Sequence, residues 1–144
     1  MRRTILCTAA ILAGITAAAA AQQATPHAGT GIKLADVAGT WDSKTMGPKD
    51  SVIATTVLRT TADGKGWTMT FPTGDPVAVR VVSSAGDSVV TEAGPFASRV
   101  RQGQTVTLLH SVAHYKGNEM WGTSTAQYSA VDTLTFKVTA KRRP

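Results

Sequence analysis

Residues 61–93 read TADGKGWTMTFPTGDPVAVRVVSSAGDSVVTEA, and the reading of this stretch decides the fold. Trp67, Met69 and Phe71 alternate with Thr68 and Thr70, the period of two that sends apolar side chains to one face of a strand and polar ones to the other. The valines Val77, Val79, Val81 and Val82, interrupted by Arg80, follow Gly74-Asp75-Pro76, and Gly86-Asp87 precedes the next apolar run. These Gly, Asp and Pro clusters supply the positive φ and fixed turns that hairpins need. Short strands joined by tight turns, with no helical period between them, make an antiparallel meander.

The same rhythm extends in both directions. It predicts strands at 40–46, 51–61, 66–71, 77–83, 88–93, 96–101, 105–115, 119–128 and 132–140, with Asp63-Gly64, Gly103-Gln104 and Gly117-Asn118 as further turns. Leu134, Phe136 and Val138 oppose Thr133, Thr135 and Lys137, so each strand offers one face to a core and one to solvent. The only helix expected is a short turn at 34–37 that includes Asp36. The fold class is therefore all-β, with eight to nine antiparallel strands. Closing the meander into a barrel hides its edges most completely, and a two-sheet sandwich is the other architecture the pattern allows.

With 144 residues, 42% of them hydrophobic and 17% charged, the chain suits one folded domain and excludes a disordered tail or a multispan membrane protein. Arg2 and Arg3, the apolar stretch from Ile5 to Ile15 and the small-residue run Ala17–Ala21 follow the order of a secretory signal peptide, so residues 1–21 are read as a leader cleaved after Ala21. Residues 22–33, with Pro26, Gly29 and Gly31, read as a flexible linker holding a solvated His27, residues 34–140 as the barrel, and 141–144 as a basic tail. Cys7 is the only cysteine and lies in the leader. The mature chain thus has none, which excludes disulfides, zinc–thiolate and iron–sulfur centres and a cysteine nucleophile. Removing Arg2 and Arg3 from the 15 basic residues leaves 13 against 9 acidic ones, and removing Lys141, Arg142 and Arg143 leaves 10. A nearly neutral body excludes a nucleic-acid groove.

Leu34-Ala35-Asp36-Val37-Ala38-Gly39-Thr40-Trp41 resembles the entry to calycin barrels, the lipocalins and the fatty-acid-binding-protein relatives, in which a short helical turn leads into a G-x-W at the first strand. Gly39 and Trp41 match that motif and are the structural positions it implies. In those families the tryptophan plugs the closed end of the barrel, often beneath a basic side chain from near the last strand, a role that Lys137, Lys141 or Arg142 could fill here. The resemblance otherwise extends over about residues 34–140 as strand count and meander order.

No residue set points to catalysis. His110 and His114 would converge on a metal in a helix, but Thr105, Val106, Thr107, Val112 and Tyr115 favour a strand, which holds them roughly 13 Å apart at about 3.3 Å per residue. One of them could still ligate a haem iron, as in haem-binding relatives of the fatty-acid-binding barrels. Asp63, Asp75 and Asp87 belong to turns, Asp42 and Glu92 to strands without an evident acidic partner, and there is no nucleophile elbow, phosphate loop or calcium loop.

The expectation is an exported, periplasmic or extracellular barrel of lipocalin-like type, without catalytic activity, metal or cofactor, that binds a small apolar ligand. The candidate ligand-binding residues are Trp67, Met69, Phe71, Arg80, His110 and Tyr128, with Arg80 as a polar anchor or a solvent charge, and Arg99 and Arg101 as solvent charges. No nucleic-acid partner and no transmembrane span after leader cleavage are expected. The alternatives are a side-chain-filled barrel that meets another envelope protein through loops 46–50 or 94–96, and a single-histidine haem barrel.

Overall fold

The computed structural model describes residues 31–144. The helix α1 (Leu34–Val37) leads into β1 (Gly39–Met46), and nine more strands follow: β2 (Val52–Thr60), β3 (Trp67–Thr70), β4 (Val77–Ala85), β5 (Ser88–Ala93), β6 (Phe96–Ala97), β7 (Thr105–Val106), β8 (Leu108–Lys116), β9 (Glu119–Ser129) and β10 (Asp132–Arg142). Eight of them close into an antiparallel barrel in the order β1-β10-β9-β8-β5-β4-β3-β2, so the barrel architecture holds and the sandwich does not. Closure pairs β1 with β10 from Trp41↔Arg142 to Met46↔Lys137. With both flanks of β1 paired, the sheet has no open edge.

The expected strand at 96–101 is the chief departure. Only Phe96–Ala97 is extended, pairing with Thr105–Val106 as a two-stranded sheet apart from the barrel. The Ser98 hydroxyl accepts from the backbone N–H of Val100 at 3.2 Å and of Arg101 at 2.9 Å, so the chain turns where a strand would have continued. The strand expected at 105–115 is divided for the same reason: β7 belongs to this small hairpin and β8 to the barrel. Residues 94–107 therefore form an insert between barrel neighbours β5 and β8.

The two barrel ends are distinct. The start of β1, the end of β10 and the turns 61–66, 86–87 and 117–118 gather at one end, and the connections 47–51, 71–76, 130–131 and the insert 94–107 at the other. The first end holds the core, where Trp41, Trp67, Val37 and Val89 are the largest fully buried side chains. Burying a valine side chain stabilises by roughly 1.5–3 kcal/mol, and each aromatic by more because it covers more area.

The barrel reaches past the bounds 34–140 expected from sequence at both ends. The leader at 1–21 and the linker through residue 30 lie outside the described residues. At 31–33 the chain already joins the barrel, since the Ile32 N–H donates to the Gly86 carbonyl at 2.9 Å and its side chain packs on the core. At the other end β10 runs through Arg142, and Arg143 donates to both Asp42 carboxylate oxygens, at 2.6 Å from its closer nitrogen. The guanidinium holds the Asp42 carboxyl below the usual carboxylate range through these hydrogen bonds. Of the basic tail expected at 141–144, Lys141 and Arg142 are thus strand residues and Arg143 is ion-paired to β1. Among the described residues, no helix is long and apolar enough to cross a membrane.

Candidate functional site

The closed end is built from the G-x-W segment. The last carbonyls of a helix have no partner within it, and here those of Asp36 and Val37 are served by side chains, as is the next one at Ala38. Trp41 donates its indole N–H to the Val37 carbonyl at 3.0 Å, and Thr60 donates its hydroxyl to the same oxygen at 2.5 Å. Arg142 donates to the carbonyls of Ala38 and, at 2.5 Å, Asp36, with its guanidinium carbon 4.3 Å from the Trp41 ring centroid. Gly39 has φ +143°, and a Cβ there would lie 3.0 Å from the Arg142 guanidinium, so glycine meets both the backbone and the packing requirement. Of the three basic residues the sequence allowed, Arg142 covers the tryptophan. From inside, Tyr115 packs edge-on against Trp41 at 5.3 Å, and burial pushes its phenol up to about 12 although Arg142 pulls the other way.

Above this plug the inward side chains become small. They include Ser43 and Thr45 on β1, Ala54 and Thr56 on β2, Thr91 on β5, Ser111 and Ala113 on β8, and Gly122 and Ser124 on β9. Such side chains cannot meet across the axis, and an internal cavity of about 120 Å³ remains. Pairing orders the hydroxyls. Thr91, Ser111 and Ser124 are successive cross-strand neighbours on β5, β8 and β9, and Ser43 is paired with Thr56 across β1 and β2. In the barrel order β1 lies opposite β5 and β2 opposite β8, so the two hydroxyl groups face one another across the lumen. Ser111 and Ser124 share a hydrogen bond at 2.7 Å.

The insert lies over part of the upper end. Phe96, Ser98, Arg99, Val100 and Val106 line the cavity, with Ser98 and Val106 buried. Two arginines fasten it. Arg99 lies 4.9 Å over the Phe71 ring and donates to the Thr73 carbonyl, tying the insert to the connection after β3. Arg101 lies 4.5 Å over the Tyr128 ring and pairs with Asp132 at 2.6 Å, tying it to β9 and β10. Ser98 and Tyr128 add a hydroxyl–hydroxyl bond at 2.9 Å. Both arginines, expected to be plain solvent charges, are fasteners of the mouth. Outside, a groove of about 420 Å³ runs between the connection at 71–76 and the start of the insert. Phe71, Phe96 and Arg99 line both the groove and the cavity, so these three side chains form the partition between them.

The sequence-derived candidates divide by strand parity. Trp67, Met69, Phe71 and Tyr128 line the cavity. Arg80 and His110 lie on the outer wall, where Arg80 pairs with Glu92 and the His110 Nδ1 lies 3.6 Å from the same carboxylate. The correction is one of register: Val79 and Leu109 take the inward positions next to them, and alternation turns Arg80 and His110 outward. His114 is also outside, stacked on Trp121 at 5.9 Å and placed 3.1 Å from the Asp87 carbonyl. No histidine of the described residues lines the cavity. Among the described residues there is also no group of three or more His, Cys, Asp or Glu that could hold a metal ion. The hydroxyl-bearing positions were missed at the sequence level. Their signal was the shared parity of Trp41, Ser43 and Thr45, and of Met120, Gly122 and Ser124.

Fold and cavity together define an eight-stranded antiparallel barrel, plugged at one end and partly covered by an insert at the other. No family model matches the chain, and neither the characterised proteins nor the solved structures compared with it give a match.

Proposed function

We propose that this protein is an exported, lipocalin-like barrel that binds a small apolar ligand in its lumen and does not transform it. The observation that carries the reading is the partly covered cavity: a space lined chiefly by apolar and small side chains, separated from an outer groove by Phe71, Phe96 and Arg99. A concave, mostly apolar lumen with a few polar groups is the usual form of a small-molecule site. The G-x-W plug beneath Arg142 supports kinship with the calycins, and the leader-like residues 1–21 support export. Glu92 on the outer wall and Asp132 at the mouth are both ion-paired and neither lines the lumen, which favours a binding role over catalysis.

The volume supports a small ligand. At about 120 Å³ the cavity is below the roughly 300–1,000 Å³ of drug-sized pockets. The same figure favours the second reading, a filled barrel that acts through its surface on an envelope protein. Titration of the purified chain with the neutral fluorophore N-phenylnaphthylamine, together with native mass spectrometry, separates the two. The carrier reading expects one saturable site and a reproducible excess mass. Absence of both, with the protein folded, would leave the surface-acting barrel.

A further inference from the structure

Resting on that binding reading, we infer that the lumen selects an uncharged ligand bearing a hydrogen-bonding oxygen, such as a medium-chain alcohol, ketone or ester, and rejects the corresponding carboxylate. Two observations carry this. The first is charge. Of the side chains lining the cavity only Arg99 is ionised at neutral pH, and its guanidinium is engaged at the mouth by Phe71 and the Thr73 carbonyl. Lys44, Arg59, Arg80, Lys137 and Lys141 all belong to barrel strands, yet none of them lines the lumen. A carboxylate drawn into this space would lose its hydration and find no cation in return.

The second observation is the hydroxyl belt. Thr91, Ser111 and Ser124 on one wall face Ser43, Thr45 and Thr56 on the other. No buried polar side-chain atom of the described residues lacks a partner, while the hydroxyls of Ser43, Thr45, Thr56 and Thr91 enter no side-chain hydrogen bond. These hydroxyls are therefore open to the lumen, where they both donate and accept. A pure hydrocarbon would strip them of water without replacing it, whereas a neutral oxygen restores a partner. Leu58 and Met69 on the plug side of the belt and Leu109 on its mouth side offer apolar surface to the rest of the ligand.

The test is displacement of N-phenylnaphthylamine from the full chain by octanol, octanoate and octylamine, at a pH where the acid is ionised and the amine protonated. Octanol is expected to displace the dye at concentrations at least about tenfold below either charged analogue. Thr56→Val, which keeps shape and removes the hydroxyl, is expected to weaken octanol about three- to tenfold and to leave the dye nearly unchanged. Octanoate equal to or better than octanol would overturn the inference while leaving the carrier reading intact, and would assign the anion to Arg99. Octanol affinity untouched by both Thr56→Val and Ser43→Ala, in variants with unchanged thermal midpoints, would overturn the role of the belt. A chain with no saturable site for any probe, the dye included, would remove the carrier reading itself.

Discussion

Along β1 the inward side chains run Trp41, Ser43, Thr45, and on β9 they run Met120, Gly122, Ser124, Ala126. On β8 the same direction takes Tyr115 to Ala113 and Ser111, and on β5 it takes Val89 to Thr91. The same strands are thus bulky at the plugged end and slender toward the mouth. β3 and β10 stay large toward the mouth, with Trp67, Met69 and Phe71 on one and Val138 and Phe136 on the other, so the small side chains lie on β1, β2, β5, β8 and β9. The two halves share backbone and hydrogen bonding and differ only in side-chain volume. The tasks are separated along the axis: packing energy is concentrated in the plug, and space for a guest lies in the half above it.

The comparison can be broken most directly at Trp41. Trp41→Ala should cost about 3–5 kcal/mol in chemical denaturation, the range for deleting a buried aromatic; a loss below about 1 kcal/mol would mean that the plug is not the stabilising half. Alkali probes the same region. Tyr115 titrates at about 12 in the folded barrel against 10.0 when unperturbed, so the folded state holds the proton longer than the unfolded chain does. Stability is then full below pH 10 and declines as the pH rises toward about 12, by up to roughly 2–3 kcal/mol. Replacing Tyr115 with Phe should flatten that decline, and an unchanged alkaline profile would disprove the assignment.

Arg142→Ala removes a cation–π contact and two charge-assisted hydrogen bonds, an expected loss of about 2 kcal/mol in thermal or denaturant unfolding. Arg142→Lys should recover only part of it, because an ammonium cannot reach two carbonyls in fork geometry. In the hollow half the expectations reverse. Ala54→Leu projects into the lumen and should alter stability by less than about 1 kcal/mol while abolishing dye binding. If the dye still bound with wild-type affinity, the site would have to be elsewhere. Smallest in stability is Arg101→Ala. Its pair with Asp132 is half-exposed and worth well under about 1 kcal/mol, yet untying the insert should speed dye release measured by stopped flow.

The meander, the turns, the helix and the G-x-W plug were legible because each rests on local rules: parity, glycine positions and residue class. Barrel closure was legible as the solution to unpaired edges. The insert was not, because Phe96–Arg101 has strand composition and only Ser98, by capping the N–H groups of Val100 and Arg101, turns it aside. Arg80, read as a polar anchor or a solvent charge, takes the solvent side, and His110 lies beside it on the outer wall. Parity divides each strand into two faces, but which face is inward depends on register against neighbours. The hydroxyl belt was hidden more deeply. Serines and threonines are common on outer walls, and their confrontation across the lumen exists only once β1 is opposite β5.

The described chain both enters and leaves the barrel at its plugged end, with Ile32 on the 86–87 turn and the Arg143 N–H on the Thr40 carbonyl at 2.8 Å. Whatever is joined to either side of this domain therefore departs from the face opposite the mouth. A tether, a fused domain or an immobilising tag at either terminus would hold the barrel with its opening pointing outward, leaving exchange with the surroundings unobstructed by its own attachment.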